Sequence, residues 1–369
     1  MRTWGRLASW IPCRQEKLCA GAVLLVVLAF FVVGAILADG QLSPRSALVV
    51  YGFSSQEEAF TQGIFPAFED EWETRTGQDL TIEGVFGPSG TLARQIVLGA
   101  PADVALFSNA QHVAWLKVGR RLGEKTQPIA FGCTPIVILT RPGNPNGITD
   151  FADLAQAGLR LLHADPRSSG VGEWSVLAEY GSALSSGPPG YGAAQPQAGA
   201  LQDSGGAEAA ANQLKAIWRN VRLLGPSARA TLTLFELGAG DGLVTYEQDA
   251  LLALERGVAV EIVVPPHTIV AQHVAVIVDD NVTASERTVA QAFVDFLLSE
   301  TGQLILDRYH LRPGDCEGGG FLRLEQPFMI EDLGGWSRAY ADLVDALWQG
   351  EIEPQLDLVP SPRLAETGN

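Results

Sequence analysis

Short apolar runs alternate with helical periodicities along almost the whole chain. Residues 47–51 (ALVVY) are a buried-type strand pattern, and from Glu57 apolar positions recur three and four apart at Phe60, Ile64, Phe65, Phe68 and Trp72. The change of period across 52–55 (GFSS) predicts strand, turn, helix. The same succession recurs at 80–86, with the turn 87–90 (GPSG) and a helix from Thr91, and at 104–107 with a helix over 110–119. It returns at 159–163, where the turn 165–170 (DPRSSG) leads into a helix marked by Trp174, Leu177, Ala178, Gly181 and Leu184. A fourth serine-bearing turn, 225–229 (GPSAR), joins the strand 221–224 to the helix 231–237, and the strand 242–246 ends on Tyr246 before the helix 247–256. Further strands are expected at 131–140, 258–264 and 274–278, and further helices at 207–218, 285–298 and 336–348, with Thr149 capping a short one. This order predicts an α/β fold with a mainly parallel sheet, in which ligands sit at the carboxyl ends of the strands.

Four serine- or glycine-bearing turns fall at those ends. Ser168 and Ser169 stand where an N-cap would, with Glu173 in the first turn. A helix N-terminus carries unpaired N–H groups and the positive end of the macrodipole, which suits an anion. One such turn has the composition of any capped turn; four at corresponding places point to a shared site.

Charge narrows the partners. The 369 residues carry a net charge of −17, which repels nucleic-acid phosphates. An anion site here must therefore work through local dipoles against the overall charge. Apolar residues make up 47% and charged residues 18%, enough for buried cores, and the length suggests two or three units. Arg2, Arg6, Arg14 and Lys17 precede an uncharged stretch at 20–38, so residues 1–40 are expected to be a cleaved export signal or an uncleaved membrane anchor. Residues 185–206, rich in Gly, Pro, Ser, Ala and Gln, are expected to be a surface loop, and 351–369 a flexible tail. Cys133 and Cys316 are either a disulfide pair or two buried thiols, and the five histidines show no metal-ligand spacing.

The turns carry a family resemblance. Residues 87–96 (GPSGTLARQI) with 99–103 (GAPAD) resemble the signature of periplasmic molybdate- and sulfate-binding proteins, with wording nearer the molybdate members. Residues 165–170 with Trp174, and 141–145 (RPGNP), 227–229 (SAR), 312–313 (RP) and 334–336 (GGW), resemble the sulfate and thiosulfate members. The resemblance implies a type II periplasmic-binding fold: two α/β lobes, two crossover strands near 126–135 and 265–274, and ligand in the cleft. Lobe one would comprise 46–129 plus 268–350, and lobe two 130–267. Carried over position by position, the pattern places ligand contacts at Phe53, Ser55, Ser89, Ser169, Gly170, Val171, Ala228 and Tyr246. Phe53 stands in place of the sulfate pattern's acidic residue, Val171 in place of a glycine, and Tyr246 in place of an indole. A tyrosine hydroxyl at that position, with Ser55 and Ser89, follows the molybdate pattern. The implied role is the monomeric solute-binding component of an ABC uptake system, without cofactor or metal. It would lie in the periplasm or on the outer face of the cytoplasmic membrane, deliver sulfate or thiosulfate (alternatively molybdate or tungstate), and partner a membrane permease and its ATPase.

The chemistry of the pocket agrees with that role. Neutral N–H and O–H groups can satisfy a tetrahedral dianion without attracting every other anion, as Lys or Arg would. Phosphate, protonated part of the time, wants an acceptor carboxylate, and none of the eight positions is acidic. The competing class is an exported hydrolase using Ser89 or Ser169, which would need a general base and an orienting acid, but the sequence shows no G-x-S-x-G elbow. His163 lies within a strand and reads as packed, and 238–242 (GAGDG) lacks a phosphate-loop lysine. A sensor input domain is a third reading, weakened by the lack of any signalling segment.

Overall fold

The strands form two sheets joined by one long strand, β4 (Ile129–Thr140), which pairs in the first with a second long strand, β9 (His267–Ile277). The computed structural model describes residues 46–185, 204–314, 316 and 321–358. The expected export segment, most of the 185–206 loop and the last eleven residues lie outside them. In the first sheet β1 (Ser46–Phe53) pairs parallel with β3 (Val104–Phe107), with β2 (Leu80–Gly87) beyond β1; β3 pairs antiparallel with β9, and β9 with residues 129–135 of β4. In the second, residues 136–140 of β4 pair antiparallel with β7 (Gly242–Tyr246), and β7, β5 (Leu161–Ala164) and β6 (Val221–Gly225) run parallel. β4 thus changes sheets between Pro135 and Ile136. By its contacts the chain from Ala47 onward is one compact unit.

The expectation of a mainly parallel sheet is corrected here. The sheet is mixed: β4 and β9 run antiparallel to each other, β9 antiparallel to β3 and β4 antiparallel to β7, beside the parallel pairs of each half. Two short strands add to this, β8 (Glu261–Val263) antiparallel on β4 and β10 (Gln326–Phe328) parallel on β9.

Helices pack on these sheets through the faces that the periodicity marks. Glu57–Ala59 passes through a π-helical stretch, Phe60–Ile64, into the helix Phe65–Thr76. Phe60, Phe65 and Phe68 from this segment meet Phe131 of β4 and Phe293, with ring centroids 5.3–6.5 Å apart. On the other side Trp218 packs edge-on against Trp348. His163 lies fully buried with Nε2 2.6 Å from Glu179 Oε1, and Trp218 Nε1 donates to the other carboxylate oxygen at 2.7 Å. That histidine is packed, as its strand position suggests.

Several boundaries differ from the sequence reading. Asp150, not Thr149, caps the turn Phe151–Ala155, because its carboxylate accepts from the Phe151 N–H at 2.6 Å. A helix at Glu300–Arg308 follows Ala284–Leu298 directly, with Ser299 as its cap. The last helix continues from Trp336–Ala339 as a π-helix to Ile352. Ile352 is buried and Glu351 pairs with Lys215 at 2.6 Å, so the expected tail is packed through Leu358. Cys133 and Cys316 form a disulfide, their Cα atoms 5.6 Å apart across a separation of 183 residues.

Candidate functional site

Helix N-termini meet where the two sheets face each other. The helices Ser89–Val97, Gly170–Ser185 and Ala228–Glu236 begin there, and β1 and β7 end there on Phe53 and Tyr246. In the first turn of a helix no helical carbonyl can reach the amide, so those N–H groups need other partners. A small cavity lies among them, lined by Phe53, Ser54, Pro88, Ser89, Ser108, Ser169, Gly170, Val171, Ala228 and Tyr246. Water centres have about 10 Å³ to move in, which with the ~1.4 Å radius of water makes a hole roughly 2.7 Å in radius. The lining contains no charged side chain. Such a hole offers neutral donors to one compact anion and has no room for an ester with a leaving group.

Seven of the eight sequence-derived positions share this lining; Ser55 does not. Its turn, Ser54–Gln56, points the hydroxyl at Asp249, to which it donates at 2.7 Å, while Ser54 faces the cavity. Ser168 does not cap its helix: its hydroxyl donates to the Pro226 carbonyl at 2.9 Å, tying two of the turns together. Gly170 is required by close approach, since a Cβ there would lie 1.5 Å from Ser108 Oγ.

Tyr246 is 1% exposed, and its buried hydroxyl makes no well-aligned hydrogen bond among the described residues, the Ser108 hydroxyl being its one polar side-chain neighbour of consequence. Burial pushes its pKa well above the ordinary value, so it remains a donor. His273 packs edge-on against the Tyr246 ring, with Nδ1 3.1 Å from the Ser108 carbonyl, and burial holds its pKa at about 4. At neutral pH it is therefore uncharged. Asp249, beyond Ser55, has a pKa raised by burial and opposed by the Arg229 charge.

The sequence reading misses a second group of residues behind Ser89. Its Oγ accepts from the Ser108 N–H at 3.1 Å and lies 2.9 Å from His112 Nδ1. His112 Nε2 stands 3.2 Å from Glu173 Oε1, and Asn109 Nδ2 donates to Glu173 Oε2 at 2.6 Å. Ser108 and Asn109 form the turn after β3, and Asn109 caps the helix Ala110–Val118. This is a further strand–turn–helix of the kind already singled out, and that pattern was its signal. Glu173 carried none beyond its place in the first helical turn.

Many bonds cross between the two sheets' loops. The Gly90 and Thr91 N–H groups donate to the Ser168 carbonyl at 2.9 and 3.3 Å, Arg94 donates to the Arg167 carbonyl at 2.6 Å, and Trp174 Nε1 to the Ser108 carbonyl at 2.9 Å. Glu58 faces Arg229 at 3.8 Å and is in contact with Arg256.

Residues 48–312 match the family model for bacterial extracellular solute-binding proteins. The chain belongs to this family. It is 28% identical over 326 residues to the sulfate-binding protein of Synechococcus elongatus, covering 83% of this chain and 86% of that one. It is 32% identical over 293 residues to the sulfate-binding protein of Escherichia coli, covering 74% and 82%. The solved sulfate-binding protein SubI from Mycobacterium tuberculosis shares the fold, with a TM-score of 0.69 at 23% identity over 81% of this chain and 99% of that one. The chain thus has the periplasmic-binding-protein fold and is a solute-binding family member.

Proposed function

We propose that the protein captures a tetrahedral oxyanion, sulfate or thiosulfate, in the small cavity and delivers it to the permease and ATPase of an ABC uptake system. The observation that carries the reading is the buried Tyr246 hydroxyl, without a well-aligned hydrogen bond, on the wall of an uncharged cavity faced by three helix N-termini. In this reading Phe53, Ser89, Ser169, Gly170, Val171, Ala228 and Tyr246 are the ligand contacts, and Ser55 acts only through Asp249. The protein works as a monomer outside the cytoplasm, free in the periplasm or held at the outer face of the membrane. Residues 46–129 with 268–350 form one lobe and 130–267 the other, hinged at β4 and β9. The bonds from Gly90, Thr91, Arg94 and Trp174 form on closure.

One observation favours the hydrolase reading: Ser89, His112 and Glu173 stand in the order of nucleophile, base and acid. The cavity's size argues against it, and so does the Ser108 N–H already bound to the nucleophile. The relatives reported above are named for binding. Thermal unfolding tests the choice, because a ligand at a hundred times its Kd stabilises by about 2.7 kcal/mol. Sulfate should raise Tm while phosphate does not, and no shift with sulfate, thiosulfate or molybdate would remove the proposal.

A further inference from the structure

Ser89 has three bonding positions, one proton and two lone pairs. The Ser108 N–H takes one lone pair. What the hydroxyl offers the cavity then depends on His112 Nδ1, 2.9 Å away. If Nδ1 is bare, Ser89 gives its proton to the histidine and turns a lone pair on the cavity, which repels an oxyanion. If Nδ1 carries a proton, Ser89 accepts it and its own proton is free to face the ligand.

The other ring nitrogen fixes the count. His112 Nε2 and Glu173 Oε1 are 3.2 Å apart, with the side chains 0% and 1% exposed, so one proton must lie between them. A proton on Nδ1 is therefore the pair's second. It is carried as imidazolium with carboxylate, or as imidazole with carboxylic acid; both are neutral overall. With one proton the pair holds a net negative charge beside the cavity.

We propose that His112 and Glu173 are positioning residues that couple oxyanion binding to the uptake of one proton, which converts Ser89 from an acceptor into a donor. The inference rests on the reading of the cavity as an oxyanion site. The proton comes from solvent, no covalent bond changes, and the dianion's charge is partly offset where it is buried.

The surroundings leave few other sources of such uptake. His112 is flanked by the rings of Trp115 at 4.6 Å and Phe107 at 5.7 Å, with Arg94 over the far side of Trp115. Tyr340 and Asp345 face Glu173 from the last helix; burial raises both pKa values. Tyr246 stays protonated and His273 neutral above pH 5.5. Asp249, behind Ser55 and outside the cavity lining, is the rival proton acceptor.

Calorimetric titration with sulfate decides the matter, at pH values from about 5.5 to 8.5 and in buffers of different ionisation enthalpy. Sulfate stays a dianion throughout, so it supplies no protons. The expected result is an uptake that rises toward one proton at alkaline pH, with Kd weakening there by up to about tenfold per pH unit. In Glu173→Gln and in His112→Gln the uptake should fall close to zero and Kd become flat with pH, while Asp249→Asn and Asp345→Asn keep the uptake of the parent. Sulfate binding with no uptake and a flat Kd in the parent protein overturns the inference and leaves the oxyanion site standing. Uptake that survives in both pair variants, or vanishes in Asp249→Asn, also overturns it. No binding at any pH removes the site and the inference together.

Discussion

Replacing Gly170 by alanine should separate binding from folding. The added Cβ would lie 1.5 Å from Ser108 Oγ, 2.7 Å from Ser108 Cβ and 3.3 Å from Asn109 Nδ2. Turning the Ser108 hydroxyl away leaves the carbon contact. Carbon atoms pack at about 3.5–4.0 Å, so the two turns must part by roughly 0.8 Å. A hydrogen bond of about 2.9 Å stretched by that amount is lost. Each donor to a charged ligand contributes about 1.5–3 kcal/mol, and Gly170→Ala should therefore weaken sulfate binding roughly ten- to a hundredfold. The clash lies across the proposed cleft, so an open, unliganded protein can relieve it and its Tm should stay within a degree or two, at about ±0.5 kcal/mol. Gly172 is the control, because a Cβ there meets the backbone of its own turn, at 2.5 Å from the Ala164 carbonyl and 2.6 Å from Pro166 N. Opening cannot relieve that contact, and Gly172→Ala should lose about 1–3 kcal/mol of stability with or without ligand. Calorimetry and thermal unfolding of both variants read the difference. Gly170→Ala that binds as tightly as the parent, or unfolds as early as Gly172→Ala, would refute the assignment of this helix N-terminus to the ligand.

Tyr246→Phe should bind sulfate roughly ten- to a hundredfold more weakly, yet unfold no earlier without ligand, because it removes a buried hydroxyl that makes no well-aligned hydrogen bond. Paired Kd and Tm measurements check both halves. Reduction of the disulfide frees a loop spanning 183 residues and should cost up to roughly 5 kcal/mol on the chain-entropy account, seen as a lower midpoint in denaturant with reductant present. His273, held at about pKa 4 when folded against an ordinary value of about 6.5, binds fewer protons folded than unfolded between those values. Its stabilising share is complete above about pH 6.5 and falls away toward pH 4, by up to roughly 3 kcal/mol. Denaturant titrations across that range should show the slope, and His273→Phe should flatten it.

The strand–turn–helix units were legible because each buries one face and punctuates it with Gly, Pro or Ser, as at 87–90 and 165–170. The repeat marked the turns, and the resemblance to oxyanion-binding proteins singled out Phe53, Ser89, Ser169, Ala228 and Tyr246 within them. Direction was not legible: nothing in the apolar runs of β4 and β9 distinguishes an antiparallel strand from a parallel one. Helix Glu300–Arg308 was hidden because a single residue, Ser299, separates it from its predecessor. His112 and Glu173 lie 61 residues apart in the sequence, so only the fold brings them together. Ser55 follows the molybdate pattern, but its turn aims that hydroxyl at Asp249 and leaves Ser54 on the cavity.

The most direct test of the central claim is calorimetric competition on the purified protein with sulfate, thiosulfate, molybdate and phosphate. Sulfate or thiosulfate should bind at one per chain, phosphate should not, and molybdate should displace bound sulfate only in large excess. Displacement by molybdate at stoichiometric concentration would assign the site to the other ion, and no heat with any of the four would contradict the oxyanion site itself.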